Sequence, residues 1–257
     1  MKLLHKLLVI LVLTTNCSFA QDSNTNYEKR SYTTKPIQDK ESPIIDGVLD
    51  EEAWSLVEWT TDYLEFQPDV GTPPTEQTKM KIIYDDTNLY VAFKCYQEDP
   101  SSIEKRMGRR DSFSGDWVEI NIDSYNDDRT AFSFTASVSG VKSDEFVSDN
   151  GNFDESWNPI WYLGTKIDDD GWTAEIRIPL SQLRFGNEHE QVWGLQSTRR
   201  YFNNEERSVW QPLPANPPGW VSEFGELRGL IGLKPQKQLE IQPYTVAKLD
   251  TYEAQSG

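Results

Sequence analysis

Short alternating runs dominate this chain. In residues 117–123, Val118, Ile120 and Ile122 fall on one side while Trp117, Glu119 and Asn121 fall on the other, the period of a strand with one buried face. Residues 79–84 and 89–95 are apolar runs separated by Asp85-Asp-Thr-Asn88, a tetrad of turn formers, and they predict a β-hairpin. Residues 131–136 and 141–147 predict a second pair around Ser139-Gly140, and further strands are expected over 172–178, 192–198 and 208–211. No stretch carries a sustained helical period; residues 51–57 come nearest, at barely two turns. Many short strands with frequent turn signals predict an all-β fold, an antiparallel β-sandwich.

The two ends differ from the middle. Lys2 and Lys6, an apolar stretch over 7–13 and Ser18-Phe-Ala20 read as an export signal over residues 1–20, since the apolar run is too short to cross a bilayer. Lipid attachment at Cys17 is disfavoured because Asn16 stands where a small residue is needed. Residues 21–42 are polar and without period, so a flexible lead is expected there. The sandwich then occupies residues 43–232, and residues 233–257 read as a linker followed by an alternating strand over 238–248 that the sandwich does not need. One such strand cannot close a barrel, so the chain by itself is not expected to span a membrane.

Charge and rare residues narrow the chemistry. The chain holds 25 Lys and Arg against 42 Asp and Glu, a net charge of −17, which opposes contact with nucleic acid or anionic membrane. Loss of residues 1–20 would remove two lysines and no acid, deepening the excess. Cys17 would leave with them, and Cys95 then has no internal partner for a disulfide. His189 is the only histidine beyond the signal; that excludes a zinc site built from several histidines and disfavours a Ser-His-Asp triad. No Cys-x-x-Cys-His is present to attach haem. Nothing marks a pair of carboxylates as a glycosidase couple, so no enzyme is expected.

Five segments, in one order, carry a family likeness: Ile45-Asp-Gly-Val-Leu-Asp-Glu-Glu-Ala-Trp54, Ile83-Tyr-Asp-Asp-Thr-Asn-Leu-Tyr-Val-Ala-Phe93, Gly115-Asp-Trp-Val-Glu-Ile-Asn-Ile-Asp123, Gly171-Trp-Thr-Ala-Glu-Ile-Arg-Ile-Pro179 and Phe224-Gly-Glu-Leu227. Together they resemble the family 9 carbohydrate-binding module. The resemblance implies a β-sandwich of jelly-roll or immunoglobulin-like type, non-catalytic, that grips a glycan or oligosaccharide by aromatic stacking and hydrogen bonds. It places sugar contacts at Phe113, Glu119, Asn216 and Trp220; Phe113 stands where sugar-binding members have Trp, and Thr135 falls near the family's Arg. Trp117, Trp161, Trp172 and Trp193 are expected in the core.

The resemblance also implies structural calcium, with Asp123 and Asp128 as ligands, although Asx-turns explain clusters such as 123–128, 85–86 and 168–170 equally well. The segments Arg109-Arg-Asp-Ser112, Asp154-Glu-Ser-Trp-Asn-Pro-Ile-Trp161, Ser181-Gln-Leu-Arg-Phe185 and Val209-Trp210 are similar to a subgroup that precedes a β-barrel in bacterial outer-membrane proteins. That likeness implies an exported, cell-envelope domain with its own downstream barrel as partner. The alternative is a docking domain whose sugar site has decayed.

Overall fold

The computed structural model describes residues 27–112 and 114–235. The expected signal over 1–20 and residues 236–257 of the expected barrel-entry segment lie outside the described residues. Fourteen strands follow in chain order: β1 (Ser31–Thr33), β2 (Lys35–Pro36), β3 (Leu64–Gln67), β4 (Thr78–Tyr84), β5 (Asn88–Tyr96), β6 (Trp117–Asp123), β7 (Ala131–Ser137), β8 (Lys142–Ser148), β9 (Asn152–Asp154), β10 (Tyr162–Asp168), β11 (Gly171–Pro179), β12 (Glu190–Tyr201), β13 (Glu206–Val209) and β14 (Gly225–Ile231). They form two sheets. The larger runs β1-β14-β12-β6-β7-β8-β9, with β13 on β12 and β3 on β13; the smaller runs β10-β11-β5-β4-β2.

The helical candidate over 51–57 is a single 3-10 turn, Glu52–Leu56. Among the described residues the expectation of an all-β sandwich therefore holds throughout. The β4–β5 hairpin forms as its pattern predicts, Tyr84 facing Leu89. Asp85 Oδ1 closes the turn by accepting the backbone N–H groups of Thr87 and Asn88, each at 2.7 Å.

The core lies between the sheets. Ile82, Val91 and Phe93 of the smaller sheet and Ile120, Ile122 and Phe134 of the larger are fully buried, and burial of each such side chain contributes about 1.5–3 kcal/mol. Trp161, Trp172 and Trp193 join them. Two tryptophans of the segment 154–161 also turn inward. Trp157 packs on Phe132 and Phe134, with ring centroids at 5.1 and 5.5 Å, and Trp161 donates its indole N–H to Asp144 at 2.9 Å.

One expectation needs correction. Residues 31–36, read as part of a flexible lead, pair with both sheets: β1 runs parallel to β14 and β2 parallel to β4. The cause is side-chain burial. The Tyr32 hydroxyl donates to Glu58 O at 2.9 Å and accepts from Ile82 N–H at 3.2 Å, while Thr34 Oγ1 donates to Ile82 O at 2.7 Å. The segment thus ties the two layers together where their edges meet. Tyr32→Ala is expected to lower unfolding stability by about 3 kcal/mol and Tyr32→Phe by about 1 kcal/mol, read from urea denaturation; an alanine variant as stable as the parent would show that this segment is not part of the cooperative unit.

Candidate functional site

The outer face of the larger sheet carries a polar row. Antiparallel register sets Val209 of β13 opposite Thr198 of β12, Thr198 opposite Glu119 of β6, Glu119 opposite Thr135 of β7, and Thr135 opposite Ser143 of β8. Because side chains alternate with period two, these five project to one face, opposite to Val118 and Ile120. All five line one cavity of ≈ 550 Å³, within the size range of small-ligand sites. Its walls are Phe66 of β3, Trp117 of β6, Glu145 of β8, Phe153 of β9 and Arg207 of β13, with Asp111, Ser112 and Trp220 supplied by loops.

Glu119 forms the floor. Its carboxylate is nearly buried and accepts the Ser133 hydroxyl at 2.6 Å. Burial raises its pKa, a shift opposed by hydrogen bonds from Ser133 and Asn121, by the charge of Arg207 and, least, by Thr198. The Arg207 guanidinium lies 5.6 Å from the Trp117 ring centroid. Beside Glu119, Thr198 is 4% exposed.

Trp220 is held from below. It opens the short 3-10 turn Val221–Glu223 and meets Phe224 edge to face, with centroids at 5.7 Å. Asn150, in the turn after β8, clamps the same loop three ways. Its carbonyl accepts the Trp220 N–H at 2.8 Å, and its side chain accepts from Ser222 N–H and donates to Ser222 Oγ, both at 2.9 Å. Asn150 sits at φ 64°, a conformation that asparagine tolerates better than most residues.

The structure therefore brings Glu119 and Trp220 into one cavity. Asn216 is exposed and does not line it, because the Pro217–Pro218 stretch separates it from Trp220 along the loop. Phe113 lies outside the described residues, although Asp111 and Ser112 before it line the cavity. Trp117, expected in the core, is half-buried and faces the cavity, since it shares the strand phase of Glu119. Glu145 and Arg207 went unrecognised because only cross-strand register brings them to Glu119. Thr135 does line the cavity at its expected place, and a guanidinium reaches the same cavity from Arg207 on another strand.

The two expected calcium ligands do not converge. Asp123 Oδ2 accepts the backbone N–H of Asp128 at 2.9 Å, while the Asp128 carboxylate turns outward to Lys29 at 3.3 Å. Among the described residues no group of three or more His, Cys, Asp or Glu side chains is placed to hold a metal ion. Asp123 Oδ1 is buried without a partner, and burial pushes its carboxyl up to about 6. Within the same turn Asp127 Oδ1 accepts from Arg129 and Thr130 N–H; in the other two clusters Asp85 Oδ1 accepts from Thr87 and Asn88 N–H and Asp168 pairs with Lys94 at 2.6 Å.

Burial also pushes Glu145 and Glu175 up to about 7; Glu145 is raised further by the neighbouring charges of Glu119, Glu155, Asp111 and Asp144. The sign follows from proton binding. Each of these carboxyls holds its proton more tightly folded than unfolded, so its contribution to stability is complete below the unfolded value and lost as pH rises through the folded one. Asp85 and Asp168 act oppositely. Hydrogen bonds from Tyr90 and Thr87, and from Lys94, outweigh burial and hold them low, so their contribution is lost only on acidification. Urea midpoints are expected to fall between about pH 5 and about pH 8, and less steeply in Glu145→Gln. A midpoint that rises over that window would overturn the assignment.

A family model described as "Carbohydrate family 9 binding domain-like" matches residues 45–209. No curated protein matches the chain in sequence. Among solved structures, a family 9 carbohydrate-binding module from Caldicellulosiruptor kristjanssonii in complex with glucose is similar at TM-score 0.56 and 20% identity, covering 83% of this chain and 100% of that one. Its complex with cellotriose gives TM-score 0.54 at the same identity and coverage. A Bacteroides uniformis structure gives TM-score 0.63 at 13% identity, covering 78% of this chain and 99% of that one. At these identities the likeness establishes the sandwich fold.

Proposed function

Since this chain belongs to the carbohydrate family 9 binding domain-like family, a family of non-catalytic binding modules, we propose that it holds a glycan in the cavity on its larger sheet. One observation carries the reading: the five-strand row sets the Glu119 carboxylate and the Thr198 hydroxyl on the floor of a cavity walled by Trp117 and Trp220. A sugar ring needs both kinds of partner. Its apolar C–H face packs on an indole, and its hydroxyls take a buried carboxylate and hydroxyls as hydrogen-bond partners. The glucose and cellotriose complexes of the similar module support a neutral hexose as the first ligand to try. Arg207 supplies the positive group that Thr135 lacks.

The module is further proposed to act in the cell envelope. The charged start and apolar stretch within residues 1–20 support export, and the alternating segment over 238–248 supports a barrel as the downstream partner. Calcium is proposed only at Asp123 Oδ1, the one buried carboxylate oxygen of that turn without a partner, and no part of sugar binding depends on it. A calcium-dependent rise in Tm that Asp123→Asn removes is the outcome that would support it; chelator without effect would remove calcium from the picture.

Calorimetric titration with mono- and oligosaccharides tests the central reading. Aromatic packing and charged hydrogen bonds each contribute about 1–3 kcal/mol, so Trp220→Ala and Glu119→Ala are each expected to weaken binding about tenfold or more. Failure of every glycan to bind the parent protein would leave the docking role in its place.

A further inference from the structure

Three carboxylates, from Asp111, Glu119 and Glu145, face the cavity against the single guanidinium of Arg207. They are not equally satisfied. Glu119 accepts the Ser133 hydroxyl. Asp111 Oδ1 accepts the backbone N–H of Asp144 at 3.2 Å, and its other oxygen lies 3.8 Å from Arg110 Nε. Arg110 is itself spent on the buried Asp144 carboxylate and on Pro159 O. The Glu145 carboxylate has neither a hydrogen bond nor an ion pair among the described residues, and the residue is half-buried at the cavity wall.

Position sharpens the imbalance. Glu145 lies opposite Ser133 on β7, the residue whose hydroxyl is given to Glu119. The two acids thus flank one serine whose proton only one of them takes. Glu155 and Asp144 add further negative charge around Glu145, and among the described residues Arg207 is the one cation lining the cavity with it. A charged group in that position is costly to leave unpaired.

We propose that the preferred ligand is a sugar bearing a free amine, a hexosamine with its ammonium group paired to Glu145, and that the cavity discriminates against acidic sugars. The inference rests on the glycan reading above and deepens it. The ring occupies the same aromatic walls, and the ammonium supplies the cation that the protein leaves out. A uronic acid or sulfated sugar would instead place a fourth anion in the cavity, against one guanidinium. Because burial and its acidic neighbours keep Glu145 partly protonated near neutrality, ammonium binding there displaces a proton, whereas a neutral hexose displaces none.

Titration of the whole chain with glucose, glucosamine, N-acetylglucosamine and glucuronate near neutral pH and low salt separates these ideas. Glucosamine is expected to bind about tenfold tighter than glucose, as one charge-assisted contact predicts. N-acetylglucosamine, which has lost the charge, should lack that advantage, and glucuronate should bind worst. Added salt should shrink the glucosamine-to-glucose ratio, and Glu145→Gln, a near-isosteric change at a half-exposed position, should bring it to about one. Glucosamine no tighter than glucose, a ratio that persists in Glu145→Gln, or lysine amide binding as well as glucosamine would each overturn the proposal while leaving glucose binding in place. Absence of binding by all four sugars would overturn the glycan reading with it.

Discussion

Strand register is the constraint on which the site depends. Glu119 meets Thr198 on one side and Thr135 on the other only because β12, β6 and β7 pair in a single alignment. A slip of one residue would turn the whole polar row into the core and bring Val118 and Ile120 out to solvent. The buried face opposes that slip, since Val118, Ile120, Ile122 and Phe134 are all fully buried. Core packing between the sheets thus fixes the geometry of side chains that do not touch the core. Phe66 of β3, Arg207 of β13 and Trp220 complete the cavity over this face.

That dependence explains what could be read from the linear chain. Local patterns were legible: the β4–β5 hairpin follows from Asp85-Asp-Thr-Asn88 between two apolar runs, and β6 follows from strict alternation. Glu119 and Trp220 were found through the family likeness, and they do share a cavity. Trp117 was misassigned to the core because indoles are usually buried, although its phase with Glu119 already placed it on the outer face. Glu145 and Arg207 carry no local signal; each is an ordinary charged residue until register joins distant strands. The paired segment 31–36 was missed because β1 and β2 are too short to display a period.

The electrostatics of the molecule divide in the same way. At turns, carboxylates are satisfied by backbone N–H groups or lysine, as with Asp85, Asp127 and Asp168. On the outer face of the larger sheet, Glu119 accepts the Ser133 hydroxyl at close range, whereas the Glu145 carboxylate has no hydrogen bond or ion pair among the described residues. Turn acids therefore add to structure, whereas the sheet-face acids are held at a cost to it. That contrast separates binding chemistry from the general acidity of the surface.

The parallel pairing of β1 with β14 has a consequence for biosynthesis. Ser31 is made early, but its partner Glu226 appears only after nearly the whole sandwich has been translated. Until then, Tyr32 and Thr34 have no complete groove to enter, and the larger sheet keeps an open margin along β12. Closure of the two layers must be a late event that joins β1 to β14, and an unfinished chain would expose an unpaired edge to its neighbours.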